Sequence, residues 1–197
     1  MYHISNDKRA KKSAELIYEG LLTCLEKKNF DQITVTDLQK ASGVARTTFY
    51  RAFDNISDVL YWKCDLCFQE VLGGFTEEQF LNEMDLVYQY FSYWTDHKDI
   101  LELLMKINRY DIIYACHMNA ASAVQEKFGS HPEMQGAHSN YFLAIRTGFT
   151  ISILTAWLQG GSKESLDEII DIVKEQLALL PSGRIKQPKS PGCSDDK

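Results

Sequence analysis

Three of the four prolines in this 197-residue chain stand at or after Pro181, and that distribution constrains the fold more than any other feature. Proline has no amide hydrogen and its ring clashes with the preceding helical turn. A chain that keeps it at one end leaves its interior open to long helices. Apolar residues recur there at helical spacing, as in the row Ala14, Ile17, Leu21 and Leu25. The pattern predicts an all-α protein of about nine helices, at about 8–28, 36–42, 46–53, 57–72, 77–95, 97–107, 109–127, 139–159 and 164–179. A hydrophobic content of 45% suffices for a sizeable core, arranged as one unit or as a small head on a larger body.

Residues 33–53, ITVTDLQKASGVARTTFYRAF, read as two short helices around a glycine turn. Thr36 is placed to cap the first helix, with Gln39 three residues on completing a capping box. Leu38 and Ala41 would face inward, the small Ala41 allowing a close helix contact. Gly43 stands where the chain must leave the helix with a positive φ, which glycine adopts at no steric cost. Val44 would plug the turn into the core. In the second helix Phe49 and Phe53 face inward, leaving Arg46, Thr47, Thr48, Tyr50 and Arg51 on the other side. An exposed face of that composition is either solvated surface or a nucleic-acid reader. Arginine can grip guanine with two parallel bonds, threonine offers a hydroxyl and a methyl, and a tyrosine hydroxyl can reach phosphate.

The residues Ile33-Thr34-Val35-Thr36-Asp37-Leu38, Ala41-Ser42-Gly43-Val44 and Thr48-Phe49-Tyr50-Arg51-Ala52-Phe53, followed by Val59-Leu60, resemble the signature of the TetR/AcrR family of bacterial transcriptional regulators. Ala156-Trp157-Leu158-Gln159-Gly160-Gly161, with the amphipathic segment after it, resembles the end of that family's ligand and dimerisation domain. The resemblance implies a three-helix helix-turn-helix head at 1–57, with its motif at about 34–53, and a helical effector-binding and dimerisation domain at 58–180. It implies DNA contact by Thr36, Arg46, Thr47, Thr48, Tyr50 and Arg51. Two positions depart from the family pattern. Ala45 replaces a serine that caps the recognition helix and touches phosphate, at a cost of about 1 kcal/mol in local stability. Ile56 replaces a frequent lysine that meets the DNA backbone. Lys8, Arg9, Lys11 and Lys12 could restore part of the lost attraction.

Charge supports this division. Residues 1–57 carry nine Lys or Arg against seven Asp or Glu, a net +2, whereas residues 58–180 carry eight against eighteen, a net −10. The full chain, at −6, is no general nucleic-acid binder, and a basic module on an acidic body suits a protein that touches DNA at one end.

The N-terminal stretch lacks a signal-like apolar core, and the most membrane-like run, 141–158, is interrupted by Arg146 and several hydroxyl residues. A cytoplasmic protein with no membrane association is expected. Five scattered cysteines fit a reduced compartment. Cys64 and Cys67 share a helix face, which keeps open a redox or metal-binding protein in which Cys116 or His117 assists. Burial as ordinary core residues is the simpler account. Cys24 falls in line with the core row of the first helix, and Cys193 lies in the tail.

The fourth helix, with Val59, Leu60, Leu66 and Val71, joins head to body without a flexible linker. A loop is expected over Phe128–Ala137 and a disordered tail over 181–197. Aromatic residues crowd 88–94 and recur at Tyr110, Tyr114, Phe142 and Phe149. Tyr90, Trp94, Tyr114, His117, Arg146 and Phe149 form the candidate effector pocket, because polar groups set among apolar ones need partners when buried. Pairing of Arg146 with Asp171 or Asp111 is the structural alternative. The last two helices carry apolar residues on more than one face. Phe142, Ile151, Leu158, Ile169, Ile172 and Val173 are therefore the candidate interface of a homodimer. No nucleophile–base pair, carboxylate pair or phosphate loop stands out, so neither an enzyme nor a cofactor or metal is expected. The partners expected are a palindromic double-stranded operator, a second copy of the chain and a small-molecule effector. An activator, or a regulator that answers to a protein partner, fits the same residues.

Overall fold

The computed structural model describes residues 1–76, 83–128 and 139–179. Among these residues the chain is all-α, with nine α-helices and one 3-10 turn. Helix α1 spans Lys8–Leu25, the 3-10 turn Phe30–Gln32, α2 Val35–Ser42, α3 Arg46–Ala52, α4 Ser57–Gly73, α5 Glu83–Asp96, α6 Asp99–Lys106, α7 Tyr110–Phe128, α8 Ser139–Gln159 and α9 Leu166–Leu179. Phe128, expected to open a loop, is the last residue of α7; the rest of the loop expected over Phe128–Ala137, the tail with Cys193 and the Phe142 side chain lie outside the described residues.

Helices α1, α2 and α3 pack on one another, and α1 also meets α4. Ala14, Ile17, Leu21 and Cys24 supply the buried row of α1. Its contact with α2 is tight because Gly20 has no side chain: a Cβ there would lie 2.8 Å from the Ser42 Cβ. Ala41, expected at this approach, is instead exposed. The inner face of α2 is set by Leu38 and continues four residues on at Ser42, not three on at Ala41.

Helix α4 is buried on several sides, through Val59, Leu60, Trp62, Phe68 and Val71, although Leu66 is exposed. It packs against α5, α6 and α7 as well as α1. Helix α8 lies on α7, and α9 on α5. Trp62 also receives the edge of Phe53, whose ring lies 5.8 Å from that of Phe49. An aromatic row thus runs from α3 into α4, where buried rings hold their geometry by dispersion and quadrupole contact.

Residues 1–4 run back over this joint. Tyr2 pairs antiparallel with Phe53, and the His3 amide donates to the Ala52 carbonyl at 2.7 Å. Among the described residues no helix is long and apolar enough to cross a membrane.

Candidate nucleic-acid interface

The first helix of the motif begins at Val35, one residue before the expected start, and its cap lies two residues before the expected one. Thr34, not Thr36, is the N-cap, and the expected Thr36–Gln39 box is replaced by Thr34 with Asp37. The Asp37 amide donates to Thr34 Oγ1 at 3.2 Å, and the Thr34 amide donates back to Asp37 Oδ2 at 2.9 Å. Two forces select this register. A carboxylate accepts these bonds more strongly than the Gln39 amide would. The register also sets Ile33 and Leu38 at the positions flanking the cap, where an apolar pair staples the chain entry, and both are buried. Lys28 donates to Asp37 at 2.9 Å, and together with Thr34 it holds the carboxyl far below the usual carboxylate range.

Gly43 ends α2 at φ 71°, the left-handed conformation that its position requires. Ser42 Oγ donates to the Leu38 carbonyl and accepts from the Val44 amide, closing the turn. Val44 is half-buried against the core. Helix α3 then starts at Arg46 with Ala45 as a cap that supplies no side-chain bond. Phe49 and Ala52 are buried, whereas Arg46, Thr47 and Arg51 are exposed, Thr48 is half-buried and Tyr50 is 51% exposed. The Tyr50 ring stands edge-on to Phe49 at 5.3 Å, so packing fixes its direction, and its hydroxyl has no hydrogen-bond partner among the described residues. Thr36 is exposed at the front of α2.

Neither Arg46 nor Arg51 has an acidic partner among the described residues, nor do Lys8, Arg9, Lys11, Lys12 or Lys40. Four cations elsewhere are paired: Lys63 with Glu15, Lys98 with Glu102, Arg109 with Asp111 and Lys174 with Asp171. Part of the positive charge of the head thus lies on one short helix without an ion-pair partner among the described residues.

In the body interior, Tyr90, Trp94 and His117 come together around Phe68. Ring centroids are 4.8 Å apart for Phe68–Trp94, 5.3 Å for Phe68–His117 and 5.7 Å for Tyr90–His117. Among the described residues, the Tyr90 hydroxyl, Trp94 Nε1 and His117 Nδ1 are all buried without a hydrogen-bond partner, as are Gln89 Oε1 and Thr147 Oγ1. Burial lowers the His117 pKa to about 4, so the ring is neutral. It also raises the Tyr90 phenol well above its ordinary value. Of the remaining pocket candidates, Phe149 and Arg146 are half-buried on α8 and Tyr114 is 45% exposed. Asp111 is engaged by Arg109 and Asp171 by Lys174.

No protein-family model matches the chain, and no curated protein matches it in sequence. Among solved structures, Lin0861 from Listeria innocua has the same fold. The match has a TM-score of 0.70 and covers 90% of this chain and 96% of that one, at 16% sequence identity. At that identity the likeness concerns fold alone.

Three of the cysteines sit where α4 meets α7. Cys64 and Cys116 are buried and Cys67 is half-buried, all as free thiols. Burial, with Cys116 beside it, pushes the Cys64 thiol up, and burial does the same for Cys67. Thiols held protonated are poor nucleophiles and poor metal ligands. Among the described residues no group of three or more His, Cys, Asp or Glu is arranged to hold a metal ion.

The candidate interface residues divide. Leu158, Ile169 and Val173 belong to the core of the chain itself, Ile151 is half-buried and Ile172 is exposed. Among the described side chains of α8 and α9, Tyr141 and Ile145, each 71% exposed, and Ile172 are the large exposed apolar ones. Helical periodicity identifies apolar faces, but it does not say which face the chain covers by itself.

Proposed function

We propose that this chain is a sequence-specific DNA-binding transcriptional regulator of the TetR/AcrR kind. It acts in the cytoplasm as a homodimer and not as an enzyme, and as a repressor that a small molecule releases from a palindromic operator. The observation that carries this reading is the outer face of α3. Two arginines without acidic partners, a threonine and a directed tyrosine project from a helix whose inner face is locked by Phe49 and the aromatic row into α4. Such a helix loses little entropy on docking, and its cations are free to release phosphate counterions. The unpartnered polar atoms of Tyr90, Trp94 and His117 support an effector site in the body, because a ligand that satisfied them would recover the cost of their burial. The exposed Tyr141, Ile145 and Ile172 support self-association through α8 and α9. Release then follows by population shift: the effector binds the DNA-incompetent spacing of the two heads more tightly.

The test is selection of bound sites from a random duplex pool, followed by a screen for ligands that release the selected duplex. We expect a palindromic site. Arg46→Ala should weaken binding by about 1–3 kcal/mol, and Tyr50→Phe by less, with folding and oligomeric state unchanged. A purified protein that is monomeric and indifferent to every duplex at low salt overturns the reading.

A further inference from the structure

One side chain on the turn between α6 and α7 reaches three parts of the molecule. Arg109 donates from Nε and Nη2 to the two carboxylate oxygens of Asp111, both at 2.8 Å, at the start of α7. From Nη1 it donates to Ser57 Oγ, also at 2.8 Å, at the first residue of α4. The same guanidinium lies over Phe30 of the 3-10 turn in the head, 5.9 Å from the ring centroid. Asp31 adds further favourable charge.

The backbone fixes where this group points. Asn108 adopts φ 58°, a left-handed conformation that few residues other than asparagine and glycine accept. Its amide donates to the Met105 carbonyl, and that of Arg109 to the Leu104 carbonyl at 2.7 Å. The guanidinium therefore moves with the body.

We propose that Arg109 is a positioning residue through which α7 sets the head, in parallel with the α4 connection. The placement of its partners gives the direction of control. Asp111 stands two residues from Arg109 on the same turn and is held by two parallel bonds, whereas Ser57 and Phe30 lie on the far side of the joint. When α7 shifts, the fork follows Asp111, and the contacts to Ser57 and Phe30 are the ones that break. His117 lies six residues beyond Asp111, about 9 Å along the same helix. A change at the buried Tyr90–Trp94–His117 cluster thus has a short rigid route to the head. This use of the contact rests on the regulatory reading above, but the contact itself can be tested without DNA or effector.

The experiment is native-state hydrogen exchange on the full chain. Arg109→Ala, Ser57→Ala and Arg109→Lys, which keeps the charge but not the fork, should each speed exchange at protected amides of 30–57 by about fivefold or more, a typical coupling between sites. Amides of α8 and α9 should be unaffected. His117→Gln should alter exchange in the head of the wild-type protein and leave it unaltered once Arg109 is alanine. Uniform acceleration throughout the chain, unchanged exchange in the head, or a His117→Gln effect that is absent in the wild-type background or persists without Arg109 overturns the proposal. If the exchange pattern holds while no duplex is bound, the coupling stands and the DNA-binding reading falls.

Discussion

Tyr2 donates its phenolic hydrogen to the buried carboxylate of Asp65 at 2.6 Å, tying the first residues of the chain to the middle of α4. Asp65 has one other side-chain donor, Gln69 at 2.7 Å. Burial pushes the Asp65 carboxyl above its usual range, and these two bonds pull it partly back. Tyr2→Phe should therefore destabilise the protein by about 1–2 kcal/mol near neutral pH, the cost of a lost bond to a charged group. Because the carboxyl pKa is raised in the folded state, the native protein binds that proton more readily than the unfolded chain does. The penalty should shrink as acidification protonates Asp65 and removes its need for a donor. Urea unfolding at several pH values measures this, and a penalty independent of pH would assign the loss to packing alone.

Gly20 and Gly148 make a matched pair. An added Cβ at Gly20 meets the Ser42 Cβ at 2.8 Å and the Ser42 backbone nitrogen at 3.0 Å, so α1 and α2 must separate. Gly20→Ala should cost about 1–3 kcal/mol, in the range of an overpacked core site. At Gly148, inside α8, an added Cβ meets nothing within 4 Å. There Gly→Ala should raise chain stability by up to about 1 kcal/mol through helix propensity alone. Equal effects at the two sites would mean that the head is not closely packed.

These positions also mark how far the sequence could be read. The nine helices, the Gly43 turn and the buried Phe49 and Phe53 were legible because each follows from periodicity or from a steric need of one residue. The capping register was not. TVTDLQ offers two Thr-x-x boxes, and the choice depends on Lys28 reaching Asp37 and on Ile33 and Leu38 both finding the core, which are tertiary facts. Gly20 gave no signal, since a mid-helix glycine shows its purpose only when Ser42 lies against it. Arg109 gave none either, because Phe30 and Ser57 are more than fifty residues away from it in sequence.

His117 should be recognisable by its titration. Burial moves its pKa from 6.5 to about 4, so between those values the unfolded chain binds a proton that the folded chain does not. Stability from this group is complete above 6.5 and declines as the pH falls toward 4, by roughly 3 kcal/mol in all. His117→Leu should flatten that part of the stability profile. An imidazole resonance that titrates near 6.5 in the native protein would show that the ring reaches solvent.

Ala45 caps a helix of seven residues without a side-chain bond, leaving the amides at the start of α3 without a local side-chain acceptor. Serine there would place an oxygen within reach of those amides, and Ala45→Ser should stabilise the head by about 1 kcal/mol. The same substitution tests the orientation of the helix on DNA. If the start of α3 faces phosphate, the added hydroxyl gives a further contact and strengthens binding of the selected duplex beyond the gain in folding. If stability rises and duplex affinity does not, the start of α3 points away from the phosphate backbone.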